Sequence, residues 1–483
     1  MRKSDTKRHS NAGARWMGVV LSGLLLAGCQ APEVHRHRPI LEERIEAPAP
    51  EALSPETSAE DRESGRARMA GPAEAINLDE AIGIALTNSP RLKAAQRDRR
   101  IAGEDIQVAR SVFFPQISGQ ASYMVLNKDL KTGSDILLEN QFWQAELDLQ
   151  WLLWDFGRSL GRYHQARFAD EIAAMNYHRF RESLIFQVAE SYYQVLRAQK
   201  SKIIAIDTLA SARQHLETAR HLQAQDLVTA DDVLRAEVQA AEFEQVLIRA
   251  NNAIKISMSG LNRAMGIHVN WPTALRDTDE RPVFTQSLDW ALRQAIEYRA
   301  EFEQVQLGVA LEKTGLQVAE ADYLPQLVVS QSYLHIEDEG QLREDSTHGT
   351  LGIQLELFTG GRRGARVRQA EHKLAKSLET AKEVCDTIAY EVKQAFLGIE
   401  DAGARLSVAE KAVSAATENR RLVLEKYANH LATSTDVADA EAAYTQAQQN
   451  YYTALYDLQF AVERLHFAMG TNDTHHAIAD TNS

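Results

Sequence analysis

The fold is decided by residues 143–154, which read WQAELDLQWLLW. Apolar and polar side chains alternate along this stretch. One face carries Trp143, Ala145, Leu147, Leu149, Trp151 and Leu153, and the other carries Gln144, Glu146, Asp148 and Gln150. Alternation over about ten residues is typical of a membrane β-barrel strand, with apolar side chains toward lipid and polar ones toward the lumen. We therefore predict that Glu146 and Asp148 face a barrel lumen.

A soluble sheet with one buried face would show the same alternation, so the pattern alone leaves that alternative open. Two features favour the membrane. Three of the six tryptophans of the chain lie between Trp143 and Trp154, as in an interfacial aromatic girdle. A strand of this length also fits a tilted crossing of the bilayer.

A second stretch with the same alternation lies about 200 residues downstream. Leu351, Ile353, Leu355 and Leu357 alternate there with Thr350, Gln354 and Glu356. The same interpretation predicts that Glu356 also faces the lumen.

The two stretches belong to an internal duplication. Residues 77–81 recur as 287–291 and residues 114–117 recur as 324–327, both at an offset of 210. Beyond these segments the offset falls to 204: Gly157-Arg158 matches Gly361-Arg362, Gln165-Ala166 matches Gln369-Ala370, Asp232-Val233 matches Asp436-Val437, Ala236-Glu237 matches Ala440-Glu441, and Met265-Gly266 matches Met469-Gly470. The change of six residues falls within the predicted hairpins, where insertions are tolerated. The two halves are therefore structural repeats.

Each repeat has the same predicted order: a helix, two strands, a very long helix and a shorter helix. The first helix is predicted from Asn77 to about Arg110, with Glu80 completing a capping box. Very long helices are predicted over about 162–224 and 366–427, and shorter ones over 229–266 and 433–470. Apolar stripes at helical spacing mark the long helices, with Phe180, Leu184, Val188, Tyr192 and Val195 in the first and Ile388, Val392, Phe396 and Ile399 in the second.

These helices are too long for a globular core. About 60 residues at 1.5 Å per residue give a helix of about 93 Å, which suits a tube across the periplasm. The two short helices of one repeat together match the long helix in length, so they could stack end to end beside it.

Composition excludes several function classes. The net charge of −14 argues against a nucleic-acid binder, which needs a basic face. The chain has no zinc-binding HExxH, no GxSxG nucleophile elbow and no phosphate loop, so we expect no enzyme activity and no cofactor. The histidine pairs at 35 and 37 and at 475 and 476 are interpreted as solvated, and no metal site is predicted. Cys385 lies in a helical pattern, where a buried thiol is expected.

The N-terminus carries a targeting signal. A basic segment with Arg2, Lys3, Lys7, Arg8 and Arg15 precedes an apolar run over 16–27, which is too short to span a bilayer but suits a signal peptide. The run ends in Leu26-Ala27-Gly28-Cys29, which resembles a lipobox, so we predict acylation of Cys29. Several acyl chains on one residue, such as palmitate, would give stable anchoring.

These signals divide the chain into six predicted segments. They are a lipoprotein signal peptide (1–28), a flexible, lipid-anchored tether (29–75), a first repeat (76–270), an inter-repeat linker (271–286), a second repeat (287–470) and a flexible tail (471–483). The tether is proline-rich and lacks aromatic residues, so it cannot bury enough apolar surface to order itself.

The sequence resembles the TolC-like outer-membrane factors, of the lipoprotein type. The resemblance rests on the repeat openings LDEAI and LDWALRQAIEYRAEF, on Pro-Gln at each first strand, on FTGGRR, and on the paired segments TADDVLRAE and TSTDVADAE. It implies a mainly α fold with membrane β structure, in which a homotrimer forms a 12-stranded β-barrel and a periplasmic α-helical tunnel. It also implies an outer-membrane channel that docks to a periplasmic adaptor and an inner-membrane pump, in efflux or type I secretion.

The resemblance further implies a periplasmic aperture. Matching on Asp-Val places the aperture carboxylates at Asp436 and Asp439 and the gate tyrosine at Tyr427. Three residues apart on a helix, the two acids share a face, so three subunits would present a ring of six carboxylates suited to binding cations. Capping is an alternative role for Asp436, three residues after Thr433. Ala432 stands where the family has an arginine that latches the closed tip, which leaves the opening mechanism open.

A periplasmic adaptor or a structural coiled-coil lipoprotein is the alternative reading. Such a protein also has a long helical hairpin and often a lipobox. An adaptor, however, would carry one hairpin between β-rich halves instead of two repeats with lipid-facing strands.

Overall fold

The computed structural model of the chain describes residues 74–128, 130–132, 135–138, 140–277, 281–337, 345–429 and 431–481. For residues 130–132, 135–138 and 477–481 it describes the backbone alone. The predicted signal peptide, the tether up to residue 73, Cys29 and the histidines at 35 and 37 lie outside the described residues.

Fifteen elements make up the described part of the chain. The first repeat contains α1 (Leu78–Asn88), α2 (Pro90–Ser111), β1 (Gln116–Val125), β2 (Leu130–Thr132), β3 (Asp135–Leu138), β4 (Gln141–Trp154), α3 (Arg158–Gln223) and α4 (Ala230–Met265). The second contains α5 (Leu288–Tyr298), α6 (Ala300–Ala321), β5 (Gln326–Glu337), β6 (Asp345–Gln354), α7 (Arg362–Ala428) and α8 (Ser434–Met469), and α9 (Asn472–Thr481) follows. Apart from β2 and β3, the order of elements repeats, which confirms the duplicated, mainly α fold.

The first helix of each repeat is broken, where the sequence predicted one continuous helix. Ser89 ends α1, caps α2 by accepting a hydrogen bond from the Leu92 amide, and precedes Pro90, which suits the first position of a new helix. In the second repeat the break falls at Arg299, whose extended backbone is the N-cap of α6. The Arg299 guanidinium is buried and donates to the Ala468 carbonyl at 3.0 Å.

Each break receives the end of another helix. Gly266 closes α4 with φ of 73°, and a Cβ there would lie 2.9 Å from the Asn88 carbonyl carbon. Gly470 closes α8 with the same φ and meets Tyr298 in the same way. Both α2 and α4 pack along α3, so the predicted stacking of short helices beside the long one is found, with the glycine at the joint.

Four strands form one antiparallel sheet in the order β1-β4-β5-β6. Cross-strand partners form rows that share a face; one such row is Ser118, Asp148, Ser332 and His348. The opposite face contains the row Trp151, Val329 and Leu351. The register therefore separates a polar face from a largely apolar one, as the alternation predicted. Within the described residues, β1 and β6 have no strand on their outer edges.

Apolar clusters join the helices within and between the repeats. In the first cluster Ile185, Val188 and Leu196 of α3 pack with Leu261 of α4 and Tyr456 of α8. The second cluster includes Ala291 and Ala295 of α5, Ile388 and Val392 of α7, and Leu465 and Met469 of α8. The buried residues of the long helices include most of the stripe that the sequence predicted.

Two smaller predictions are wrong. Cys385 is exposed on α7, although it lies one turn before buried Ile388 on the same side of the helix. Residues 472–481, expected to be a flexible tail, form α9, which is held by His476: this buried side chain bonds Asp79 at 2.6 Å and Glu463 at 3.1 Å.

Within the described residues, no helix combines the length and the apolar character that crossing a membrane requires.

Candidate functional site

Two helical hairpins end in short turns, and the predicted aperture residues lie at the second one. The first tip joins α3 to α4 through residues 224–229, and the second joins α7 to α8 through residues 429–433. Thr229 and Thr433 are the N-caps of the helices that leave the tips.

Asp436 closes a capping box at the second tip. Its Oδ2 accepts hydrogen bonds from the Thr433 amide and hydroxyl, both at 2.8 Å, and its own amide donates to Thr433 Oγ1 at 3.2 Å. These bonds from the backbone and the hydroxyl lower the pKa of the exposed carboxyl. Asp232 makes the same bonds with Thr229. Asp436 therefore caps α8, and Oδ2 is occupied by the cap.

Asp439 lies one turn further along α8, on the same side as Asp436, and is exposed. Within the described residues no hydrogen bond or ion pair reaches its carboxylate. The matching residue of the first repeat is Arg235, which pairs with Asp231 at 2.9 Å. The second tip thus presents a free acid where the first presents a neutralised pair.

Tyr427 is buried and faces the first repeat. Its ring packs against His215 of α3, with centroids 4.7 Å apart, and its hydroxyl is buried without a hydrogen-bond partner among the described residues. Burial, followed by the negative charge of Asp232, raises the pKa of Tyr427. His215 Nε2 lies 3.0 Å from the hydroxyl of buried Ser434, so three side chains from α3, α7 and α8 meet at this point.

A buried ion pair lies two turns away from Tyr427. Glu441 of α8 is 2% exposed, and its Oε1 accepts from Arg420 Nε at 2.6 Å and from Ser211 Oγ at 2.5 Å. Arg420 also donates to Ser211 at 2.7 Å, so the triangle joins α3, α7 and α8. We call Ser211, His215, Arg420, Tyr427, Ser434 and Glu441 the tip cluster.

The tip cluster ties the first repeat to the second near the tips. Sequence reasoning identified Tyr427 and noted Ala432 in place of a latching arginine, but it did not find Arg420, His215 or Glu441 as partners. The duplication matches Ala440-Glu441 with Ala236-Glu237, so the sequence gives the two glutamates the same pattern. In the structure Glu441 is buried and Glu237 is exposed. The sequence around Arg420 and around Glu441 does not indicate that the two form an ion pair, because they lie 21 residues apart on different helices and meet only in the folded structure.

Of the three residues predicted to face the lumen, two lie in the sheet and the third, Glu356, does not. Glu146 and Asp148 lie on the polar face of the sheet, and Glu146 accepts a hydrogen bond from Ser332 at 3.1 Å. Glu356 lies beyond the sheet, since β6 ends at Gln354; the prediction that it continues the strand is wrong. Gln354 pairs with Gln326, the first residue of β5, so nothing remains for Glu356 to pair with. It bonds Arg362 at 2.8 Å instead.

The opposite face of the sheet is apolar and exposed. Its side chains include Ile117, Leu147, Leu351 and Ile353, which are 54–76% exposed. A soluble sheet would bury such a face, and contiguous exposed apolar surface of this kind marks a membrane or protein contact. The exposure therefore favours the membrane strand over the soluble alternative.

Metal binding finds no support in the described residues, among which no group of three or more His, Cys, Asp or Glu side chains has a geometry that could hold an ion. His476 is engaged by two carboxylates. Burial lowers its pKa, but the hydrogen bonds and charges of Asp79 and Glu463 outweigh this and raise the pKa to about 9. The resulting cation joins α9 to both repeats.

The sequence matches the family model of the outer membrane efflux proteins over residues 81–267 and 291–471. The two matched segments coincide with the two repeats. Together they cover more than half of the chain.

Curated relatives match along most of their length. Outer membrane protein TolC of Vibrio cholerae is 24% identical over 417 residues, which are 82% of this chain and 91% of the relative. Proteases secretion protein PrtF of Dickeya chrysanthemi is 24% identical over 416 residues, covering 83% and 89%. The crystal structure of the Campylobacter jejuni CmeC outer membrane channel has a TM-score of 0.73 at 14% identity, covering 89% of this chain and 97% of that one. The fold is thus that of outer-membrane channels.

Proposed function

Because the chain belongs to the outer membrane efflux protein family, we propose that it is a passive export duct without enzymatic turnover. It is an outer-membrane channel protein that extends into the periplasm, as the family and its relatives are. The proposal adds that substrates reach it from an inner-membrane pump through a periplasmic adaptor, in efflux or in type I secretion.

The sheet carries this proposal. Four strands cannot close a barrel, and an open sheet edge is not tolerated in lipid, where each backbone group needs a partner. Among the described residues, β1 and β6 have no partner strand on their outer edges, and one face of the sheet is apolar and exposed. Pairing β6 of one subunit with β1 of the next would satisfy the edges.

A homotrimer supplies the closed form. Three copies of a four-stranded sheet give 12 strands, with the apolar faces toward lipid and Glu146 and Asp148 toward the lumen. The helices α3 and α7, of 66 and 67 residues, would continue below the sheet as a tunnel of about 100 Å.

The aperture of this tunnel is assigned to the second tip. Six carboxylates from Asp436 and Asp439 of three subunits would attract cations at a constriction. Ala432 stands where the family has a latching arginine, so we assign the closure of the tip to the tip cluster. Opening would separate α7 and α8 from α3 and would therefore break the contacts of this cluster. Tyr427 then acts as a packed member of the cluster against His215.

Single-channel conductance in a planar bilayer tests the function. We expect the purified full-length chain to give a small, cation-preferring conductance that divalent cations suppress. Asp439→Asn should reduce cation preference and divalent block, because it removes the unpaired acid. Asp231→Asn, the same charge change at the first tip, should leave both unchanged. Absence of conductance in both the wild type and Arg420→Ala, which loosens the tip cluster, would contradict the duct.

Lipid anchoring at Cys29 is a separate part of the proposal. Acylation would tie the chain to the membrane through the predicted tether, independently of the barrel. Cys29→Ser should abolish labelling by radioactive palmitate and still resist extraction by alkaline carbonate, because the barrel remains embedded. Release of this variant without detergent would support the adaptor or coiled-coil alternative.

A further inference from the structure

The helices that follow the two hairpins begin with the same backbone. Gly157 and Gly361 are left-handed N-cap residues with φ of 90° and 84°. At each start the next amide, of Arg158 or Arg362, donates to the carbonyl three residues earlier, at 3.3 and 3.2 Å. The duplication therefore preserves the geometry of these two starts.

Their charges differ. At α3, Asp155 Oδ2 accepts hydrogen bonds from the Ser159 amide at 2.8 Å and the Ser159 hydroxyl at 2.5 Å, which places an acid at the positive end of the helix. At α7 the matching residues are Thr359 and Arg363. A neutral residue replaces the acid and a cation replaces the serine, so these two positions are together more positive by two charges. Cations are disfavoured at a helix N-terminus unless an anion balances them.

A cleft of about 190 Å³ lies beside the start of α7. Five arginines line it, Arg158, Arg162, Arg362, Arg363 and Arg366, against two acids. Asp322 is shared between Arg158 at 3.2 Å and Arg366 at 3.3 Å. Glu356 is engaged by Arg362. The two carboxylates neutralise only part of the charge of the five arginines, so the cleft keeps a net positive charge.

Arg363 is a buried member of the cleft for which no hydrogen-bond partner is found among the described residues. Its side chain is 9% exposed and its guanidinium lies over the Tyr323 ring, 5.4 Å from the centroid. The nearest carboxylate oxygen, of Glu356, is 3.9 Å from Nε, too far for a hydrogen bond. Nε and Nη2 are buried without a partner among the described residues. Buried donors of a cation are costly when unsatisfied, and a planar guanidinium suits a phosphate oxygen pair.

The cleft lies at the end of the sheet that meets the helices. Gln326 begins β5, Gln354 ends β6, and both line the cleft. The connector that follows exposes Leu357 and Phe358, which are 89% and 90% exposed. A basic cleft beside exposed apolar side chains, at the edge of a membrane-facing sheet, matches a molecule with a phosphate head and an apolar tail.

We propose that this cleft binds a phosphate group, with the Arg363 guanidinium and the backbone amides of Arg363 and Gly364, in the first turn of α7, as its donors. A phospholipid headgroup at the membrane boundary and dissolved phosphate share this chemistry. The bound anion takes the place at α7 that the Asp155 carboxylate fills at α3. The inference requires the outer-membrane location but neither the trimer nor the aperture.

Calorimetric titration of the full-length protein in an uncharged maltoside tests the site. The probes are inorganic phosphate, dihexanoyl phosphatidylglycerol and, as an uncharged lipid, dihexanoyl glycerol. We expect binding of at least one phosphate probe and none of dihexanoyl glycerol. Arg363→Gln should weaken it by about tenfold or more, the worth of one charge-assisted hydrogen bond. Arg421→Gln is the matched control, since Arg421 lies on the same helix, is exposed and is paired with Glu418 and Glu425.

A second variant separates binding from folding. Thr359→Asp restores the internal carboxylate of the first repeat, so it should weaken phosphate binding about as much as Arg363→Gln while leaving the thermal midpoint equal or higher. Binding of both probes would assign the site to the phosphate group itself, and binding of the lipid alone would assign it to a headgroup. No binding of either probe, or equal losses in Arg363→Gln and Arg421→Gln, would overturn the inference.

Discussion

The two repeats share a backbone plan but differ in where they carry charge. At the first tip, Glu237 and Arg220 are both exposed and lie 3.7 Å apart. At the second tip, the matching Glu441 is buried and bonds Arg420 at 2.6 Å, a pair that also reaches Ser211 of the first repeat. The two repeats thus share their helices and caps, and they differ in the polar contacts at the tips.

The two repeats also differ at the other end of the long helices. The first repeat satisfies its helix start internally through Asp155, whereas the second leaves buried guanidinium donors unpaired at Arg363. At the helix starts the first repeat therefore satisfies its polar groups internally and the second leaves donors for a partner, whereas at the tips the second repeat is the one that buries its ion pair.

The largest effect is expected from Arg420→Ala. Removing the arginine leaves the Glu441 carboxylate buried and uncompensated, which costs about 3 kcal/mol in comparable pairs. Local opening at the tip should rise by about a hundredfold. Hydrogen exchange of the first turns of α8 and of residues 208–215 of α3 measures it.

Arg220→Ala is the matched control in the first repeat. Its partner Glu237 is exposed, and exposed ion pairs contribute little, so exchange there should hardly change. Equal acceleration in both variants would contradict the proposed difference between the tips.

A smaller effect is expected from acid at His215. Burial lowers the pKa of His215 more than the charges of Glu441 and Asp232 raise it. The closed tip therefore holds the neutral form, and its stability is full above the ordinary pKa of about 6.5. The stability of the closed tip declines as the pH falls from about 6.5 toward the lowered pKa of the closed state, because His215 binds a proton more readily in the open state.

Conductance between pH 7.5 and 5.5 measures this effect. The wild type should open more readily at the lower pH, and His215→Gln should lose that part of the dependence. His221→Gln, an exposed residue on the same helix, is the control. An unchanged pH profile in His215→Gln would show that the acid response arises elsewhere.

Much of the fold was readable from local signals. Capping boxes at Thr229 and Thr433, glycine C-caps at Gly266 and Gly470, and period-two alternation in β4 are each set by neighbouring residues, and the structure contains all of them. The break at Ser89-Pro90 had such a signal, a cap followed by proline, which the longer helical pattern obscured.

Other features had no local signal. The break at Arg299 depends on Gly470, 171 residues away, closing against it. Glu356 continued the alternation, but the strand stops where β5 has no further residue to pair. The tip cluster joins residues more than 200 positions apart, such as Ser211 and Glu441, and burial decides its chemistry. Pairing between repeats cannot be derived from periodicity within one.

The smallest effects are expected at the two caps, and they sharpen the question of Asp436. Thr229→Ala and Thr433→Ala each remove the capping hydroxyl from the same geometry. Each should lower the free energy of local opening of the helix that it caps by about 1 kcal/mol, measured by hydrogen exchange of the first turn of α4 or α8. Equal losses of stability would show that Asp232 and Asp436 contribute equally to capping their helices. If Thr433→Ala nevertheless strengthened divalent block of the conductance while Thr229→Ala did not, the released Asp436 carboxylate would be a cation ligand beside Asp439. If neither variant altered the block, the capping box would account for Asp436 fully and the aperture charge would rest on Asp439 alone.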